Sequence, residues 1–191
     1  MWKYEHIDET RQRLLSKGII DLGGDIDEAM VMYVRDSLMI LATNDNPDIK
    51  VRITCDGGNV RVGLAIYDML KGYPGHCTGI VFGFCRSFAV VVLQACNCRL
   101  ALTHSTMKIH DVLVDIEKMK SEVILNRHKL DRFMESLAQD VKRDQKAINR
   151  IYSSRSGQSL KAIRQLSKED HELTAKEALK LRLIDGIIEK Y

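Results

Sequence analysis

Apolar and polar residues alternate along Ile49-Lys50-Val51-Arg52-Ile53-Thr54-Cys55, the period of a strand with one buried face. Thr78 to Phe82 reads as a second strand that runs into Gly83, and an apolar helix follows, beginning near Ser87. Upstream, Gly18-Ile19-Ile20-Asp21-Leu22-Gly23-Gly24 predicts a short buried strand ended by glycines, after a charged helical start. Asp25 or Asp27 then caps a helix carrying Ala29, Met30, Tyr33, Val34, Leu38 and Leu41 on one face, which Asn44-Asp45-Asn46-Pro47-Asp48 breaks. Asp56-Gly57-Gly58-Asn59 is a tight turn into a helix from about Val60 to Gly72, and Tyr73-Pro74-Gly75 turns the chain again. Arg99 to Leu102 and Thr106 to His110 predict two more short strands.

The second half is mostly helical. From Val112 to about Tyr152 the chain has no Pro or Gly, and Val123, Leu130, Phe133, Met134, Leu137 and Val141 keep an apolar stripe. One continuous helix there would reach about 60 Å, far beyond the width of a domain this size, and so predicts a segment packed on another subunit or bent. Ser156-Gly157-Gln158 closes it, and Ser159 caps a short helix with Leu160, Ile163 and Leu166. Thr174-Ala175-Lys176-Glu177 is a capping box for a last helix, and Leu183 to Ile188 returns to a strand. Strands alternating with helices give an α/β class with substantial parallel pairing, in a single domain over residues 1–191 without repeats or linkers.

Composition narrows the function classes. With 45% hydrophobic and 29% charged residues the chain is globular, and a net charge of +3 without long basic runs argues against nucleic acid. The start of the chain has no apolar signal-peptide core, and the uncharged run Ser87 to Cys98 is too short to span a bilayer. The expectation is a cytoplasmic protein that engages no membrane. Five cysteines, odd in number and set in apolar runs, predict buried reduced thiols; Cys96-Asn97-Cys98 has no second pair to complete a zinc site, so no metal is expected.

Two stretches carry chemistry. A serine at the start of a helix, such as Ser87, can act as a nucleophile beside free backbone N–H groups, or it can simply cap the helix. The adjacent Gly57 and Gly58 let N–H groups approach a ligand closely, or they make an ordinary strand-to-helix turn. The dinucleotide fingerprint G-x-G-x-x-G is absent.

Taken in order, these pieces resemble the proteolytic subunits of the Clp protease (ClpP), within the ClpP/crotonase fold. The resemblance runs from about Arg13 to Ile188. It rests on Ile19 to Gly24, on Ile53-Thr54-Cys55-Asp56-Gly57-Gly58 followed by Gly63 to Asp68, and on Gly83 with Ser87 four residues later. Met107-Lys108-Ile109-His110, Ser156 to Leu160, Asp170, and Thr174 to Asp185 complete the series. The resemblance implies a spiral of strand–strand–helix units with a long projecting handle helix at about 112–152. It also implies a Ser-His-Asp triad of Ser87, His110 and Asp170, with an oxyanion hole from the N–H groups of Gly58 and Phe88. Glu169, Glu172, Asp111 and Asp115 are the competing carboxylates, and His6, His76, His104, His128 and His171 have no assigned partner.

By the same resemblance the protein is a self-compartmentalising serine endopeptidase acting on peptides or unfolded proteins. It would assemble as a homo-oligomer of stacked heptameric rings. It would need no cofactor of its own, and ATP would enter only through a partner AAA+ unfoldase. The sequence departs from the family at Arg86, at Phe88-Ala89 after the serine, and at Asp111-Val112, where the family has Gln-Pro and a glycine-rich segment. The stretch from His110 to Gly157 is also longer by about three helical turns, and the stretch before Arg13 is shorter than the family's gating strand and loops. The alternatives are a crotonase-type acyl-CoA enzyme, whose chemistry does not need the three triad types together, and a catalytically silent ring subunit.

Overall fold

The computed structural model describes residues 8–114 and 126–190. Helix α1 (Glu9–Leu15), capped by Asp8, leads to β1 (Ile19–Ile26) and α2 (Glu28–Ala42). Asp27 rather than Asp25 caps α2, its carboxylate accepting the Met30 N–H at 2.9 Å. Met30, Tyr33, Val34 and Leu41 are buried as the pattern requires, while Ala29 faces solvent.

Strand β2 (Ile49–Gly58) buries every second residue from Ile49 to Gly57 and continues past the expected end at Cys55. It is followed by α3 (Val60–Lys71), then β3 (Cys77–Arg86) and α4 (Phe88–Leu93), all of whose residues are buried. Strands β4 (Cys98–Leu102) and β5 (Thr106–Lys108) precede the long helix α5 (Arg127–Ser156). The chain ends with α6 (Leu160–Glu169), β6 (Glu172–Thr174), α7 (Ala175–Lys180) and β7 (Gly186–Ile188). Ser159 caps α6, and both reciprocal bonds of the Thr174–Glu177 capping box form at α7.

The strands make one seven-stranded sheet in the order β1-β2-β3-β4-β7, with β5 added against β3 and β6 against β5. All pairings are parallel except β5 with β6. Gly83 does not end β3 as its sequence suggests. It takes φ 76° in mid-strand, and β3 runs on to Arg86. Below this bend, Thr78–Val81 pair with β4; above it, Phe84–Arg86 pair with β5. One long strand therefore serves two neighbours on the same edge, and its upper end carries the serine.

The expected helix from Val112 is corrected. Residues 112–114 are not helical, and the backbone N–H of Val112 donates to Gln145 Oε1 at 2.7 Å, which lays this segment against α5 instead of continuing into it. The helix begins at Arg127, capped by Asn126, and its 30 residues make it about 45 Å long. Gly157 ends it in the left-handed conformation, φ 71°. Its buried residues, Ile148, Asn149, Tyr152 and Ser156, all lie in the last third, so the first half projects from the body of the domain. Val123 lies outside the described residues.

Candidate active site

Strand register puts the three candidate triad positions side by side. Arg86 of β3 pairs with Lys108 of β5, and Lys108 pairs with Glu172 of β6. Ser87 follows Arg86, and its backbone N–H extends the ladder to the Lys108 carbonyl at 2.7 Å. His110 lies two residues beyond Lys108, and Asp170 two residues before Glu172 on the antiparallel neighbour, so both project beyond the same end of the sheet. Ser87, His110 and Asp170 line one cleft of about 530 Å³, with Asp56, Arg86 and Lys108.

Ser87 has φ 52° and ψ −127°, a backbone conformation that L-residues rarely adopt, and its side chain makes no capping bond to α4. The simple capping role is thereby removed. The strained turn holds the hydroxyl at the cleft mouth, as nucleophile elbows do. Two glycines make room for it. A Cβ on Gly57, whose φ is 101°, would stand 2.6 Å from Ser87 Cβ and 3.0 Å from the Phe88 nitrogen. A Cβ on Gly58 would meet the Ile26 carbonyl oxygen at 2.5 Å. The Gly57 N–H is engaged by Cys55 Sγ at 3.4 Å. Gly58 and Phe88 line a second, adjoining pocket of about 230 Å³ together with Ser87 and His110. The Phe88 ring, itself buried, fills the space that a side chain on Gly63 would occupy and locks α4 onto α3.

His110 and Asp170 share the cleft without touching. His110 Nδ1 donates to the Asp111 carbonyl at 2.7 Å, since a carbonyl only accepts; in the neutral ring this tautomer leaves Nε2 as the acceptor. Asp170 instead forms an ion pair with Lys108 Nζ at 3.1 Å. Among the described residues no hydrogen bond joins His110 to Ser87 or to Asp170. Of the competing carboxylates, Glu172 is held by Arg86 and Glu169 lies near His171, while Asp115 falls outside the described residues.

Sequence patterns alone did not reveal the role of Arg86. Its guanidinium bonds Asp56 at 2.8 Å and Glu172 at 2.7 Å, and it stacks over the Phe84 ring. It thus ties β2, β3 and β6 together beside Ser87. The hydrogen bond from Arg86 holds the Glu172 carboxyl below its ordinary range. The charge at position 86 was visible in the sequence, but its two partners lie 30 and 86 residues away. Behind the site, Cys55 and Cys85 are sheet partners. Burial pushes the Cys55 thiol up to about 11 and raises that of Cys85, so neither is a competing nucleophile at neutral pH.

Among the described residues no helix is long and apolar enough to cross a membrane. A ClpP1 mutant from Listeria monocytogenes superimposes with a TM-score of 0.81 at 23% identity, covering 95% of this chain and 96% of its own, a likeness that shows the fold. An ATP-dependent Clp protease proteolytic subunit from Ligilactobacillus salivarius is 31% identical over 179 residues, 92% of this chain and 85% of that protein. The family described as Clp protease matches residues 3–191, and with this fold and this relative the chain belongs to the Clp protease family.

Proposed function

We propose that this protein is a serine endopeptidase in which Ser87 is the nucleophile, His110 the general base and Asp170 the acid that orients it. The observation carrying this reading is the strained, uncapped Ser87 at the mouth of a cleft shared with His110 and Asp170. With Nδ1 donating to the Asp111 carbonyl, the neutral imidazole of His110 presents Nε2 as the base. In the reaction, Ser87 Oγ attacks the peptide carbonyl while Nε2 takes its proton. The carbonyl oxygen becomes an oxyanion, received by the N–H groups of Gly58 and Phe88. The imidazolium then gives its proton to the leaving amine and an acyl-serine remains. Water, deprotonated by the same nitrogen, releases the acid and restores Ser87. The adjoining pocket is walled by Val60, Phe88, Val91, Ile148 and Tyr152, and suits an apolar side chain next to the scissile bond. For Asp170 to serve His110 its carboxylate must turn away from Lys108.

The family membership supports the wider proposal of a self-compartmentalising homo-oligomer of stacked heptameric rings in the cytoplasm. It would degrade peptides or unfolded proteins and use no metal or cofactor of its own, with ATP acting only through a partner AAA+ unfoldase. A second reading, a silent ring subunit, draws on the Lys108–Asp170 pair, which leaves His110 without its acid. Labelling with a fluorophosphonate or a β-lactone decides between them. The peptidase labels, and Ser87→Ala abolishes both labelling and cleavage of small fluorogenic peptides, leaving only the residual catalysis of a triad knock-out, several orders of magnitude down. Absence of label on the wild type, or retained cleavage by Ser87→Ala, overturns the assignment. A crotonase-type enzyme would likewise fail to label at Ser87.

A further inference from the structure

A second groove adjoins the catalytic cleft at Asp111. It has a volume of about 600 Å³ and runs between α5, α6 and residues 111–112. Asp111 lines the catalytic cleft, the apolar pocket and this groove, and Val112 lines the groove and the apolar pocket, so the three cavities adjoin. Lys142, Lys146 and Arg150 recur every four residues along one face of α5, and Arg164 of α6 faces the same space. Among the described residues no carboxylate pairs with any of these four cations, whereas neighbouring Arg143 is held by both Asp140 and Asp144. Among the described residues Asp111 is the only carboxylate lining the groove. Like charges gathered in one concave surface repel one another and concentrate anions there. The wall they stand on is fixed, because Gln145 accepts the Val112 N–H and donates to Asn149.

Resting on the peptidase reading of the adjoining cleft, we propose that this groove is an extended substrate subsite that selects acidic side chains, so that the preferred substrates are polypeptides carrying Asp or Glu a few residues from the cleaved bond. An extended chain with its scissile carbonyl at Ser87 and an apolar side chain in the adjoining pocket continues past Asp111 and Val112 into the groove. There its carboxylates meet Lys142, Lys146, Arg150 and Arg164. The pairs are exposed, each alone is weak, and the preference comes from their number and is screened by salt.

The test compares internally quenched decapeptides of one sequence, with three Asp or three Asn placed on either side of the scissile bond. For the wild type the ratio of kcat/KM, Asp over Asn, is expected to be on the order of ten at 0.1 M salt and to fall towards one at 1 M, where the screening length is about 3 Å. Lys146→Gln with Arg150→Gln collapses the ratio at low salt. Lys161→Gln, on α6 but outside the groove, keeps it. Equal cleavage of both peptides by the wild type overturns the proposal. So does a double variant that sediments as smaller particles than the wild type, since the groove would then join copies of this chain. If the wild type cleaves neither peptide, the peptidase reading fails by itself. Fluorescence anisotropy of the same peptides on Ser87→Ala protein then decides the groove: tighter binding of the Asp peptide, lost in the double variant, upholds it, and equal binding overturns it.

Discussion

Ser87 is stationed by its neighbours more than by its own chemistry. Gly57 is the tightest of these neighbours, with room for a hydrogen and nothing larger against Ser87 Cβ. Gly57→Ala combines that clash with a φ of 101°, so about 1–3 kcal/mol of strain is expected and Ser87 is displaced. Peptidase activity should fall at least a hundredfold while circular dichroism still reports a folded protein; near-normal activity would show that the turn can yield. The acid gives a second pair of experiments. With Asp170 orienting His110, Asp170→Asn is expected to cost about 10⁴ in rate through loss of the working tautomer. Lys108 competes for that carboxylate in the structure, across an exposed pair. Lys108→Met should therefore raise kcat/KM about two- to fivefold, matching the ~0.5–1 kcal/mol of an exposed ion pair. A drop on Lys108→Met, measured on a short fluorogenic peptide, would assign the lysine to supporting Asp170 in its working position instead.

Between elements, the strongest polar joint outside the cleft links β4 to the turn before β7. Arg99, only 4% exposed on its side chain, donates through its guanidinium to Asp185 and to Gln94. The backbones join the same joint, the Arg99 N–H to the Asp185 carboxylate and the Asp185 N–H to the Arg99 carbonyl. Burial would raise the Asp185 carboxyl, but the Arg99 hydrogen bonds outweigh it and hold the group below its ordinary value. The folded state thus binds this proton less readily than the unfolded chain. The stabilisation is present above about pH 4 and is lost as pH falls through the folded value. Asp185→Asn leaves a buried guanidinium half-partnered. Because Asp185 is itself 40% exposed, the cost should be about 2–3 kcal/mol at pH 7, below that of a fully buried pair. Thermal unfolding of both proteins at pH 7 and pH 3 checks this, with the gap narrowing at pH 3; a constant gap would mean the carboxylate charge does not matter.

At the scale of the whole molecule, α5 is an unfinished surface. Phe133 and Met134 are 39% and 44% exposed, and Leu130 and Leu137 are only half-buried on the projecting half. If these side chains are covered by a second ring, each contributes roughly 1.5–3 kcal/mol before ordering costs. Replacing Leu130, Phe133 and Leu137 together with Asp should split the assembly into single rings or monomers, seen by sedimentation velocity, and peptidase activity should fall with it. An unchanged particle with full activity would remove α5 from the assembly contact.

The sequence by itself determined the elements. Period-two alternation laid out β2, an aspartate at 25 or 27, Ser159 and the Thr174–Glu177 box set three helix starts, and the absence of Pro and Gly marked the long helix, because each of these signals acts within a few residues. The order of motifs also pointed to Ser87, His110 and Asp170, which the sheet gathers at one end. Tertiary structure alone decided who pairs with whom. That β3 bends at Gly83 and serves both β4 and β5 depends on contacts 20 to 22 residues away in the chain, beyond any local period. The helix start at Arg127 rather than Val112 follows the same rule, since helix propensity near Val112 yields to a hydrogen bond with Gln145, 33 residues on. Likewise the partners of Arg86, the hold of Lys108 on Asp170 and the row of cations beside the cleft exist only once the strands and helices are packed. Long charged side chains settle on whichever opposite charge the fold brings within reach, and sequence spacing does not encode that distance.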